Sequence, residues 1–101
     1  MNKHDKLLED IVKRLRKDKK YLVIDKKFEY CVNGITGEVD IVAMLNPIKY
    51  RNRYNFYEIK SHHSHKQYNK AREQYAKYCL THPMQRIKGV YITPEKVRRL
   101  R

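Results

Sequence analysis

The chain has 101 residues, 24 of them Lys or Arg against 11 Asp or Glu, for a formal net charge of +13. This length suits one small domain, 1–101, with a modest core. The excess of cations favours a polyanion as partner, nucleic acid before a membrane surface, because no apolar run is long enough to span a bilayer and the N-terminus is not signal-like.

Leu7, Leu8, Ile11, Val12 and Leu15 form an apolar helical stripe over 4–18, with Lys13, Arg14, Arg16 and Lys17 around the rest of the circumference. Tyr21 to Val32 then reads as a strand with a kink near Asp25-Lys26-Lys27. Asn33-Gly34 is a turn signal, and Thr36-Gly37 leads into a second strand, Glu38 to Leu45. Asn46-Pro47 opens a basic loop carrying Lys49, Arg51 and Arg53, which returns as a strand from Tyr54 to Lys60. Ser64 is placed to cap a second helix over roughly His65 to Leu80, which His82-Pro83 must end. Tyr68, Ala71, Tyr75 and Tyr78 or Cys79 make its inner stripe. A last strand, Lys88 to Thr93, precedes Pro94 and a basic terminus. The order α-β-β-β-α-β predicts an α/β fold with a mixed sheet flanked by helices. Cys31 and Cys79 lack paired spacing and read as reduced core thiols, as expected of a cytoplasmic (intracellular) protein.

Two segments carry the chemistry: Gly37-Glu38-Val39-Asp40 and Tyr57-Glu58-Ile59-Lys60. Side chains alternate across a strand, so Glu58 and Lys60 share one face and Ile59 takes the other. Two acids and a lysine on a hydrophobic hairpin suit a divalent-metal site for cutting phosphodiesters. Asp40 and Glu58, with the Ile59 carbonyl, would offer hard oxygen donors to Mg²⁺ or Mn²⁺, and Lys60 would hold the attacking water or the phosphate. Taken singly, each has a plainer explanation: Glu58 and Lys60 as a solvated ion pair, Asp40 as a polar residue beside a turn. Their joint occurrence on one hairpin of a +13 chain favours the metal site.

Asp40 followed by Glu58-Ile59-Lys60 resembles the PD-(D/E)XK nuclease superfamily, although the proline of its name is absent before Asp40. The resemblance implies a restriction-endonuclease-like α-β-β-β-α-β core with Asp40, Glu58 and Lys60 catalytic. Gly-Glu-Val-Asp-Ile-Val-Ala and Glu-Ile-Lys-Ser look most like Holliday-junction resolvases. Gln74 and Tyr78 instead match the Gln-X-X-X-Tyr signature of RecB-like nucleases, and imply that Gln74 faces the metal site or the DNA. The family also places an acid, or in RecB-like members a histidine, on the first helix; Glu9 is the expected residue, with His4 next and Asp5 beside it. Glu38 shares a strand face with Asp40.

Other chemistries fit less well. His62, His63 and His65, with Cys79 and His82, lack the paired spacing of a structural zinc site. An iron–sulfur cluster needs four cysteines, and the chain has two. The expectation is therefore a Mg²⁺- or Mn²⁺-dependent DNA nuclease acting as a homodimer. The alternative is a non-catalytic nucleic-acid-binding module with a nuclease fold, and the intact Asp-Glu-Lys trio argues against it.

Overall fold

A computed structural model describes residues 1–101. Helix α1 (Lys3–Lys17) is capped by Asn2, whose side chain accepts from the Asp5 N–H at 2.8 Å, and Arg14, Arg16 and Lys17 meet the negative end of its dipole. Its stripe of Leu8, Ile11, Val12 and Leu15 is buried. Strands β1 (Tyr21–Val32) and β2 (Ile35–Leu45) form a hairpin turned by Asn33 and Gly34, both left-handed (φ 50° and 80°), as a two-residue turn that follows strand twist requires. Then come β3 (Arg53–Ile59), α2 (His65–Thr81), β4 (Arg86–Ile92) and β5 (Val97–Leu100). Ser64 caps α2 as expected, its side chain accepting from the Gln67 N–H at 3.1 Å.

The sheet order is β1-β2-β3-β4-β5. Crossover through α2 makes β3 and β4 parallel, and the other neighbours are antiparallel. The α-β-β-β-α-β core is thus present, with one helix on each face. On one face α1 packs against Ile41, Ala43, Tyr57 and Ile59. On the other, Ala71 and Tyr78 of α2 pack with Val42, Phe56 and Tyr91. Val12, Ile41, Phe56 and Ile59 are wholly inaccessible, and each such side chain stabilises the fold by about 1.5–3 kcal/mol. No helix is long and apolar enough to cross a membrane.

Three details depart from the sequence expectation. The basic terminus contains a fifth strand, anchored by Leu100 alone. Cys31 is exposed rather than in the core, and Cys79 is half-buried. The kink expected around residues 25–27 is present, but it involves both strands of the hairpin. Ile24 and Ile41 pack on the α1 side, whereas Phe28 and Val39 pack on the α2 side. Residues of like parity on an uninterrupted strand would share a face. The exchange falls between the pairs Lys26↔Ile41 and Phe28↔Val39, where Lys27 (φ 51°) stands opposite Asp40.

Candidate active site

The β2–β3 ladder runs from Met44↔Tyr54 only to Ile41↔Tyr57. Beyond that point β2 no longer pairs with β3, and the Ile59 N–H donates instead to Asp40 Oδ2 at 2.8 Å. A side chain thus replaces the ladder where the strands part, and this fixes the Asp40 carboxylate at the mouth of a cleft. Asp40 and Glu38 of β2, Glu58 of β3 and Lys60 just beyond it form the sheet side of that cleft. The opposite wall is one edge of α2, where Lys70, Glu73, Gln74 and Lys77 recur at helical spacing. The N-terminus of α1 adds His4. The cleft holds about 490 Å³ and has no hydrophobic lining residue.

Glu58 is only 6 % exposed. Its one close cation is Lys60, with Nζ 3.8 Å from Oε2, beyond hydrogen-bonding distance. Burial, and next the charge of Asp40, push the Glu58 carboxyl up to about 8, and Lys60 only partly opposes them. The desolvated carboxyl therefore keeps its proton at neutral pH unless a cation replaces it. His4 links two acids: Nε2 lies 3.4 Å from Asp40 Oδ2, and Nδ1 lies 3.3 Å from Asp5 Oδ1.

Asp40, Glu58, Lys60 and Gln74 come together as expected. Glu9 does not join them, and here the expectation is corrected. Its Oε1 accepts from Lys26 Nζ at 2.8 Å on the surface, outside the cleft. The cause is helical phase: His4 is one turn before Leu8 and extends the buried stripe towards Asp40, whereas Glu9 is turned about 100° from Leu8. Lys70, Glu73 and Lys77 were absent from the expected site, although their spacing around Gln74 was available as a signal. Ile59, expected to offer its carbonyl, is fully buried and already holds Asp40 through its N–H.

The donor set suits a hard divalent cation. Two adjacent carboxylates, one of them buried, match the one or two carboxylates by which Mg²⁺ is commonly held while it keeps its waters. No three His, Cys, Asp or Glu side chains assemble as a ligand cage. Two of the histidines that could suggest zinc have other partners: His82 stacks on Tyr78 (centroids 4.0 Å apart) and donates from Nδ1 to the Tyr78 carbonyl, and His63 Nδ1 faces the Tyr91 hydroxyl at 3.1 Å.

No family model and no curated protein matches this chain. Among solved structures it is similar to "Crystal structure of SSO0001", with a TM-score of 0.52 and 18 % sequence identity. The match covers 94 % of this chain and 46 % of the other, so the chain spans about half the length of that protein. At this identity the likeness shows a shared fold alone.

Proposed function

We propose that this protein is a metal-dependent DNA nuclease of the PD-(D/E)XK type, hydrolysing phosphodiester bonds in the cleft between β2, β3 and α2. The observation that carries the proposal is Glu58, a carboxyl 6 % exposed, set beside Asp40 and Lys60 in a cleft without one apolar lining residue. Concentrating like charge in a desolvated place is costly, and active sites are where such a cost recurs.

Asp40 and Glu58, with the Ile59 carbonyl, would hold Mg²⁺ or Mn²⁺, which when bound polarises a phosphate oxygen and acidifies water. Lys60 supplies a fixed positive charge for the attacking water or the phosphate. Gln74 offers an amide donor from α2, and Lys70 and Lys77, one turn to either side of it, neutralise flanking phosphates. His4 and the Ile59 N–H keep the Asp40 carboxylate oriented. The element order and the Gln-X-X-X-Tyr spacing of Gln74 and Tyr78 support the same assignment.

The test is cleavage of labelled single-stranded, duplex and four-way-junction DNA with Mg²⁺, Mn²⁺ or EDTA, with Glu58→Ala alongside. Metal-dependent cutting that the variant loses is expected, and the preferred substrate distinguishes RecB-like from resolvase-like action. Binding without cutting under every condition would overturn the nuclease in favour of a non-catalytic module.

A further inference from the structure

We infer that the opposite face of the sheet carries a second nucleic-acid site, a basic cleft that takes a single-stranded phosphate backbone and stacks its bases on tyrosine. It needs nothing from the metal chemistry proposed above.

Helix α1 lies over β1, β2 and β3, and reaches β4 only at Val90 and Ile92. The other end of this face has no helix over it. The alternation that puts Tyr57 and Ile59 beneath α1 puts Arg53 and Asn55 on the same face further back along β3. In β4 the same rule follows Val90 back to Arg86 and Lys88. In β5, Leu100 belongs to the α2 side, and Arg99 therefore to this one. With Lys20 from the turn before β1, these residues line a cleft of about 430 Å³.

Five cations line this cleft and no acid does, although the chain has 11 Asp and Glu. None of the five takes part in an ion pair. Arg53 and Arg86 are direct register partners on adjacent strands, an arrangement of like charges that destabilises a sheet. A polyanion relieves that repulsion and releases counterions as it binds.

Two tyrosines, Tyr21 and Tyr50, lie among the cations, whereas the Tyr54 ring packs on the α2 side of the sheet. Tyr21 is held in place: Asn55, 8 % exposed, donates from Nδ2 to the Tyr21 hydroxyl at 3.1 Å and to the Tyr57 hydroxyl at 2.9 Å. Lys20 Nζ sits 5.3 Å from the centre of the Tyr21 ring. Cations interleaved with half-buried rings fit unpaired bases, which offer free π-faces that a duplex has already stacked. A lipid surface fits poorly, because the apolar lining residues Leu45 and Ile87 are buried or half-buried and cannot insert.

The experiment is fluorescence anisotropy of labelled dT20 in EDTA over 50–300 mM NaCl. Arg53→Glu/Arg86→Glu/Lys88→Glu should weaken binding about tenfold or more at 100 mM and reduce the log–log salt slope by about 2. Tyr50→Ala should weaken dT20 roughly 5-fold or more and leave inorganic polyphosphate unaffected. The milder Arg86→Gln/Lys88→Gln, with a wild-type circular dichroism spectrum, should lose affinity in the same direction. Four results would overturn the inference: unchanged dT20 binding in these folded variants, an equal loss from Lys13→Glu/Arg14→Glu/Lys17→Glu on α1, an unaffected Tyr50→Ala, or tighter binding to phosphatidylserine vesicles than to dT20. Because no metal is present and no bond is cut, an inactive nuclease site leaves this result standing.

Discussion

On the α2 face of β3, Glu58 is buried beside a second acid; on the α1 face of the same strand, Arg53 faces a second arginine across the ladder. The two clefts are about 20 Å apart along the strand, at opposite ends and on opposite sides. The first sets Glu38, Asp40, Glu58 and Glu73 among Lys60, Lys70, Lys77 and His4, with Glu58 buried and its nearest cation 3.8 Å away; the second gathers five cations and no acid. The missing partner differs accordingly. Crowded carboxylates call for a compact cation, whereas spread guanidinium and ammonium groups between aromatic rings call for an extended polyanion.

The largest effects should separate catalysis from grip. Asp40→Ala and Lys60→Ala should each lower metal-dependent cleavage by about 100-fold or more, with dT20 binding in EDTA within a few-fold of wild type by anisotropy. Parallel loss of binding would mean that the acidic cleft is part of the grip, and the division would fail.

A second test uses the proton on Glu58. Its carboxyl ionises near 4.5 in an ordinary setting and only at about 8 in the fold. Between those values the unfolded chain binds fewer protons than the native one, so metal-free stability falls as pH rises through that window. Glu58→Gln should match wild type near pH 4.5 in thermal melts and exceed it at pH 8, by a few kcal/mol. Mg²⁺ should raise the wild-type Tm at pH 8 and leave that of the variant unchanged. A parallel pH profile for the two proteins would remove the buried acid from the argument.

Smaller effects probe the scaffold. A Cβ at Gly37 would run into the Tyr30 ring, so Gly37→Ala should cost about 1–3 kcal/mol in denaturant unfolding. Ser64→Ala removes the α2 cap and should cost about 1 kcal/mol by the same measurement. Glu9→Ala should leave cleavage kinetics unchanged, because its ion pair with Lys26 is on the surface; a loss of activity matching that of His4→Ala would restore it to the site.

Local patterns were legible in the sequence because local physics sets them. The stripe of Leu8, Ile11, Val12 and Leu15, the Asn33-Gly34 turn and the Ser64 cap follow from periodicity, φ preference and hydrogen bonding within a few residues. Of the residues that meet in the acidic cleft, Glu58 and Lys60 follow from strand alternation, whereas Gln74 rests on the Gln-X-X-X-Tyr resemblance and on no local periodicity. β5 was hidden, since a single buried residue, Leu100, distinguishes it from a charged tail. Glu9 suits the resemblance by residue type and by its distance from the first strand, but helical phase, with which His4 agrees, decides which residue reaches Asp40. The basic cleft had no sequence signature: its cations come from the turn before β1 and from β3, β4 and β5, and only the register brings them together.

The exchange of faces at Lys27 and Asp40 also governs how this fold tolerates changes in length. From Phe28 to Val39 the hairpin is an arm, held against the end of α2 by Tyr30, whose ring meets those of Tyr78 and His82 at 5.4 and 5.3 Å. Residues added in pairs at the Asn33-Gly34 tip extend the arm and keep every side chain on its present side. One residue added between Lys27 and Tyr30 reverses the sides, turning Tyr30 and Val32 into water and twisting the strand opposite Asp40. The hairpin can therefore lengthen at its tip, while its root, where it meets the candidate metal ligand, has a fixed number of residues.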